Sequence, residues 1–267
     1  MQTQMVVFYA PKQGNDEREW EDGAAGSCGD AGRNPRFAVA DGATEGFGSA
    51  RWAEQLVAGF VGPDQENGAA EPPTLRPDAL HRWLELMQAR WHQDPRVAGA
   101  TDLERLKLAR VGSFATLLGC ELSGLDGPRA RWDAVALGDT VLFHVRNQQV
   151  QQFPQIAAEE FGFNPDGVPT KPETLAGMVE RLAVAGGDLA VGDRLYLATD
   201  ALAQWMVAAD ARDRRSLWTR LATLDHPVTF RKLVADHRRA GEMKNDDVTL
   251  MRVHLVATPP AYLVVCR

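Results

Sequence analysis

The sequence predicts an α+β fold built on antiparallel sheet. Runs that read as strands follow one another through the middle of the chain, and the helical stretches are gathered before and after them. That order differs from the strand–helix alternation of a parallel sheet. The turn chemistry agrees, because Gly138-Asp139 is a pair suited to a hairpin and Asn147 suits the next turn.

Taken in order, Met5 to Ala10 is an apolar strand ended by Pro11. After Glu21-Asp22, a Gly/Ala/Ser-rich stretch through Pro35 reads as a strand and a hairpin loop, and Arg36 to Ala40 as the next strand. Phe47, Ala50, Trp52, Ala53, Leu56, Val57 and Phe60 recur near helical spacing. Asp64 to Pro77 is a loop. Asp78 can cap a helix whose Leu80, Trp83, Leu84, Met87 and Trp91 form one core-facing stripe. A short helix is expected over Leu103 to Ala109. Strands follow at Val111 to Leu122, Arg131 to Leu137, Thr140 to Arg146 and Gln149 to Phe153. Phe161 to Lys171, with Pro165 and Pro169, is an irregular loop. Leu182 to Val184 and Arg194 to Ala198 are strands, and helices fill Ala201 to Ala209, Asp213 to Leu224 and Pro227 to Arg239. Asp247 to Val256 is the last long strand, and Ala261 to Cys266 is a possible edge strand.

Composition narrows the function classes. The 267 residues are 45% hydrophobic and 24% charged, which is ordinary for soluble globular chains and excludes disorder, collagen and coiled coil. A chain of this length buries enough apolar surface to fold without a disulfide or structural metal. Lysine plus arginine total 29 against 36 acidic residues, a net charge of −7 that argues against nucleic acid as the partner. No apolar run approaches the ~20 residues of a membrane span. Met1-Gln2-Thr3-Gln4 is not the start of a signal peptide. With three cysteines and no CxxC pair, a soluble cytoplasmic protein with free thiols is expected.

The informative feature is the placing of carboxylates at strand tips. Asp41 follows the strand Phe37 to Ala40, Asp200 follows Leu195 to Ala198, Asp246 precedes Val248 to Val253, and Glu21-Asp22 border a further strand. Any one of them could be a turn or cap residue; Asp200 could cap the helix starting at Ala201. Converging, they would make an all-oxygen site for hard divalent cations.

These segments resemble the PPM/PP2C-type metal-dependent protein serine/threonine phosphatases. Phe37-Ala-Val-Ala-Asp-Gly-Ala-Thr44 resembles the family's "VADG" motif. Glu21-Asp22 resembles its "ED" pair, Gly112-Ser-Phe-Ala-Thr116 its "GSTA" and Ala136-Leu-Gly-Asp-Thr140 its "vGDS". Leu197-Ala-Thr-Asp-Ala-Leu202 resembles "aSDGl", and Asp246-Asp-Val-Thr249 resembles "DNiT". The motifs run in the family's order from residue 21 to 249, so the resemblance covers nearly the whole chain as one domain over 1–267. It implies a four-layer α-β-β-α sandwich, two central antiparallel sheets flanked by helices. It also implies two Mn²⁺ or Mg²⁺ ions, with Asp41 bridging them, the Gly42 carbonyl on one, Asp200 and Asp246 on the other, and Glu21 and Asp22 acting largely through water. Such a pair of ions, about 3.5–4 Å apart, supplies hydroxide at neutral pH for in-line attack on phosphorus. The implied substrate is a phosphorylated protein, its phosphate placed by a serine/threonine kinase that is itself a possible partner. The alternatives are a phosphatase-fold regulatory protein with little turnover, or a two-metal hydrolase of other phosphoesters.

The chain departs from the family at several points. Ala201 and Asp247 stand where Gly and Asn are usual. No histidine follows Asp41-Gly42, leaving Glu45 or a water as the acid, and Ala109 replaces a third-metal aspartate. Arg18 is the phosphate-binding candidate, with Lys12 as the alternative. Asp139 reads as structural. The arginines and lysines around 212–215 and 231–239 read as a solvated face, or alternatively as a docking patch for an acidic or phosphorylated partner.

Overall fold

The computed structural model describes residues 1–29, 33–43, 46, 48–62, 71–162 and 166–257. Its core is the result of strict alternation. In Arg36–Ala40 (β3), Phe37 and Val39 point one way, while Ala38 and Ala40 point the other and accept a helix at close range. In Arg194–Ala198 (β11), Leu195 and Leu197 face inward, and Tyr196 and Ala198 face outward.

The elements run β1 (Gln2–Ala10), a 3-10 turn (Glu17–Glu19), β2 (Gly23–Ser27), β3, α1 (Ser49–Val61), α2 (Pro77–Gln93), α3 (Pro95–Ala98) and α4 (Asp102–Arg110). The middle contains β4 (Phe114–Ala115), β5 (Leu117–Ser123), β6 (Arg131–Leu137), β7 (Val141–Arg146), β8 (Gln149–Phe153), β9 (Val168–Pro169) and α5 (Pro172–Val179). Then come β10 (Ala183–Asp188), β11, α6 (Asp200–Ala222), α7 (Pro227–Arg239) and β12 (Val248–Val256).

Two five-stranded sheets result, ordered β1-β12-β11-β7-β8 and β10-β6-β5-β3-β2, and every pairing is antiparallel. Phe37, Val39, Leu118, Trp132, Leu197, Met251 and Val253 fill the space between them. The outer face of the first sheet packs on α6 and α7 through Phe8, Tyr196, Trp218 and Phe230. The outer face of the second packs on α1 and α2 through Trp52, Leu56, Phe60, Trp83 and Trp91. This is the expected four-layer sandwich, and the tryptophan stripe of α2 is core.

Several expectations are corrected. Gly138-Asp139 closes no hairpin: β6 and β7 belong to different sheets, so this pair carries the chain across the sandwich. The hairpin turn is Asn147-Gln148, at φ 48° and 68°, with Arg146 paired to Gln149. The stretch Val111 to Leu122 divides into β4 and β5, because β4 leaves the main sheet to pair with β9 inside the expected loop. Asp78 does not cap α2; Arg76 holds that position and Pro77 begins the helix. α5 forms where the sequence predicts no helix. The two expected helices after Asp200 are joined as α6 and meet at the non-helical Asp213, whose carboxylate accepts the Ser216 N–H. The possible strand 261–266 lies outside the described residues.

Candidate metal centre

Strand ends from both sheets deliver acidic side chains to one end of the sandwich. Asp22 directly precedes β2, and Asp41 directly follows β3 in the same sheet. Asp200 begins α6 just beyond β11, and Asp246 lies two residues before β12, both from the other sheet. Neighbouring strands end together, so carboxylates at their tips meet although they are far apart in sequence.

Asp22 is the deepest of them. It is 3% exposed, and its Oδ2 accepts the hydroxyls of Thr199 at 3.0 Å and Thr249 at 2.7 Å, while Oδ1 is buried with no hydrogen-bond partner. Burial lifts its pKa well above the ordinary value, and the charges of Asp247 and Asp200 lift it further against the two hydroxyls. Asp41 is likewise raised well above normal, first by burial of its carboxyl and then by Asp22, Asp200, Asp139 and Asp246. Asp200 is pushed up to about 6 by burial and by Asp139 and Asp246, while Lys244 and the Ala201 N–H oppose the shift. Asp139 is also raised, by burial.

The backbone around Asp41 is braced. Its N–H donates to Thr116 Oγ1 at 2.9 Å, the Thr116 N–H returns to the Asp41 carbonyl at 2.9 Å, and Thr116 and Thr140 share a 2.6 Å hydroxyl contact. Gly42 bridges to Ala115, and a Cβ at Gly42 would sit 2.6 Å from the Glu21 carbonyl oxygen. Only glycine lets the Asp41 turn and the Glu21-Asp22 loop approach so closely.

Asp247 is a strut and does not add a loose charge. It is 8% exposed, and its two oxygens accept the backbone N–H groups of Lys12 and Glu21, each at 2.7 Å. A carboxylate satisfies both donors; an asparagine would satisfy one. Arg238 completes the frame from α7, donating to the carbonyls of Pro11 (2.9 Å) and Asp246.

The two basic candidates separate. Arg18 is exposed on the 3-10 turn and has no ion-pair partner among the described residues. Lys12 Nζ lies 3.6 Å from Asp246 Oδ1. Asp139, read from sequence as structural, is brought electrostatically against Asp41 and Asp200 because the β6–β7 connection crosses the sandwich at this end. The "GD" pair was visible in the sequence, but its destination was not. Ala109 is exposed on α4; Glu45 lies outside the described residues. The basic residues of α6 and α7 are largely paired within the molecule, Arg231 with Glu17, Lys232 and Arg239 with Asp236, His237 and Arg212 with Glu242.

Among the described residues, no three His, Cys, Asp or Glu side chains stand in a ready ion-binding arrangement. The donor chemistry nevertheless fits hard cations. Buried carboxylates raise one another's pKa with little compensating positive charge, and Asp22 and Asp139 each keep a buried oxygen without a partner. Divalent cations at this point would relieve both conditions.

No family model matches the sequence, and no curated protein is similar to it in sequence. The fold does have relatives among solved structures. The Mycobacterium tuberculosis serine/threonine phosphatase PstP/Ppp superposes with a TM-score of 0.62 at 15% identity, over 96% of this chain and 100% of that one. The catalytic domain of PstP in complex with two manganese ions gives 0.59 at 15%, over 96% and 99%. The serine/threonine phosphatase Stp1 from Staphylococcus aureus gives 0.60 at 12%, over 96% of each. The chain has the fold of the PP2C-type serine/threonine phosphatases.

Proposed function

We propose that this chain is a metal-dependent phosphoprotein phosphatase acting on phosphoserine and phosphothreonine, with 1–267 as a single phosphatase domain. The observation that carries the reading is the set of buried, mutually perturbed carboxylates that both sheets deliver to one end of a phosphatase-type sandwich. Asp41, the Gly42 carbonyl, Asp200 and Asp246 would hold two Mn²⁺ or Mg²⁺ ions, with Glu21 and Asp22 acting through water. That stoichiometry follows the two manganese ions of PstP. When bound, the cations supply Lewis acidity toward the phosphoryl oxygens and lower the pKa of water.

The chain's own groups position and balance charge. Thr199 and Thr249 fix Asp22, Thr116 fixes the Asp41 turn, and Asp247 holds the Glu21 backbone. Lys12 and Arg18 are the basic side chains proposed to meet the substrate phosphate, Lys12 being the one seated beside Asp246. The substrate is a phosphorylated protein, and a serine/threonine kinase is its proposed counterpart. The free thiols of Cys28 and Cys120 support a reducing, cytoplasmic setting. Among the described residues no helix is long and apolar enough to cross a membrane.

Hydrolysis of p-nitrophenyl phosphate with Mn²⁺, Mg²⁺ or EDTA tests the reading. Turnover is expected with either ion, none in EDTA, and a fall of at least about 100-fold in Asp200→Asn. Manganese binding without turnover on this ester or on phosphopeptides would instead indicate a regulatory protein. Absence of metal binding would refute the site.

A further inference from the structure

Lys244 lies in the connection between α7 and β12, outside the set of residues assigned above. Its ammonium donates to the Phe161 carbonyl at 3.0 Å. The N–H of that same peptide unit, on Gly162, donates to Asp139 Oδ2 at 3.3 Å. One peptide plane is therefore held with its carbonyl on a cation and its N–H on an anion, the orientation that both ends of its dipole favour. The fit is close: a Cβ on Gly162 would sit 2.3 Å from Lys244 Nζ, and φ there is +79°. The segment leading into this contact is anchored by the Phe161 ring, 1% exposed in the α6–α7 layer, and by Gln204, which donates to the Ala158 carbonyl at 2.8 Å.

This contact adjoins the acidic centre. The positive charge of Lys244 favours the ionised forms of both Asp139 and Asp200. Asp139 and Gly162 also line a pocket of about 310 Å³, together with Ile156, Glu160 and the ion-paired Asp166 and Arg181.

We propose that Lys244, the Phe161–Gly162 peptide and Asp139 form a clasp, and that Lys244 is a substrate-binding residue beside the centre. The clasp sets the pocket wall beside the centre, and the exposed ammonium, with N–H groups beyond the one given to Phe161, favours a phosphorylated peptide. The clasp rests on the phosphatase reading. It also makes a prediction of split sign, because removing a cation beside carboxylates favours metal cations while disfavouring an anionic substrate.

The test compares wild type, Lys244→Met and Gly162→Ala by Mn²⁺ calorimetry and by steady-state kinetics on p-nitrophenyl phosphate and on a phosphothreonine peptide. In Lys244→Met the Mn²⁺ Kd should be equal to or below wild type. KM for the peptide should rise about tenfold, as loss of a charge-assisted contact implies, with kcat within about threefold and a smaller change in KM for p-nitrophenyl phosphate. Gly162→Ala, which keeps the charge and displaces the peptide, should raise peptide KM without tightening Mn²⁺. An unchanged peptide KM, or weaker Mn²⁺ binding in Lys244→Met, overturns the clasp. Wild type without turnover defeats the phosphatase reading instead, and the Mn²⁺ titration then judges the clasp alone.

Discussion

At the scale of single residues, the centre depends on groups that never need to touch substrate. Two threonine hydroxyls hold the Asp22 carboxylate, and Asp247 holds the backbone of Glu21. Asp247→Asn puts an NH₂ against one of two N–H donors, those of Lys12 and Glu21, and leaves that donor unsatisfied. A loss of about 1–3 kcal/mol is expected. Thermal denaturation would show it, and calorimetry would show weaker Mn²⁺ binding. A variant as stable as wild type would mean the loop is held by something else. The same dependence accounts for part of the sequence motifs, since the threonine of Asp246-Asp-Val-Thr249 hydrogen-bonds Asp22 from the opposite sheet.

At the scale of elements, helix α1 supports the centre from a distance. Trp52 is fully buried, stands edge-on to Trp91 with ring centroids 5.6 Å apart, and donates its indole N–H to the Val168 carbonyl at 2.8 Å. Val168 belongs to β9, which pairs with β4, and β4 leads directly to the Thr116 that braces Asp41. Trp52→Phe removes the donor and leaves a void, and should cost about 2–4 kcal/mol in denaturant unfolding. The Mn²⁺ affinity of the folded fraction should fall with it. Had β9 remained the irregular loop expected from Pro165 and Pro169, this route from helix to aspartate would be missing. A two-residue strand carries no periodicity, and its pairing partner is 53 residues away, Ala115 opposite Val168; only the fold brings them together.

At the scale of the molecule, clustering carboxylates opposes folding, an opposition that bound cations would offset. Asp200 has a pKa raised from 3.8 to about 6, and Asp22 and Asp41 are raised as well. A carboxyl raised on folding binds more protons in the folded state, so metal-free stability should fall as pH rises from about 4 through about 6. The depressed carboxylates, Asp193 beside Arg146 and Asp94 beside Arg51, act in the opposite sense, and at lower pH, below about 4. Saturating Mn²⁺ should flatten the decline above pH 4 and raise Tm near pH 7, with a gain of about 3 kcal/mol at a hundredfold excess over Kd. Melting curves across pH, with Mn²⁺ and with EDTA, read both effects. An EDTA-treated protein that is no less stable at pH 7 than at pH 5 would contradict the buried, unneutralised cluster.

What the sequence by itself determined is what local physics encodes. Apolar runs bounded by turn residues marked most strands of both sheets, helical spacing marked α1 and α2, and carboxylates at strand tips marked Asp41, Asp200 and Asp246. α5 escaped because an eight-residue segment, Pro-Glu-Thr-Leu-Ala-Gly-Met-Val, is too short to show an amphipathic stripe. The tertiary structure alone decided that Gly138-Asp139 crosses between sheets and brings Asp139 to the centre, that Asp247 spans two backbone donors, and that Lys244 meets the Phe161–Gly162 peptide 83 residues away. Each of these is a pairing between distant parts of the chain, fixed by how the two sheets stack and leaving no trace in the spacing of either partner.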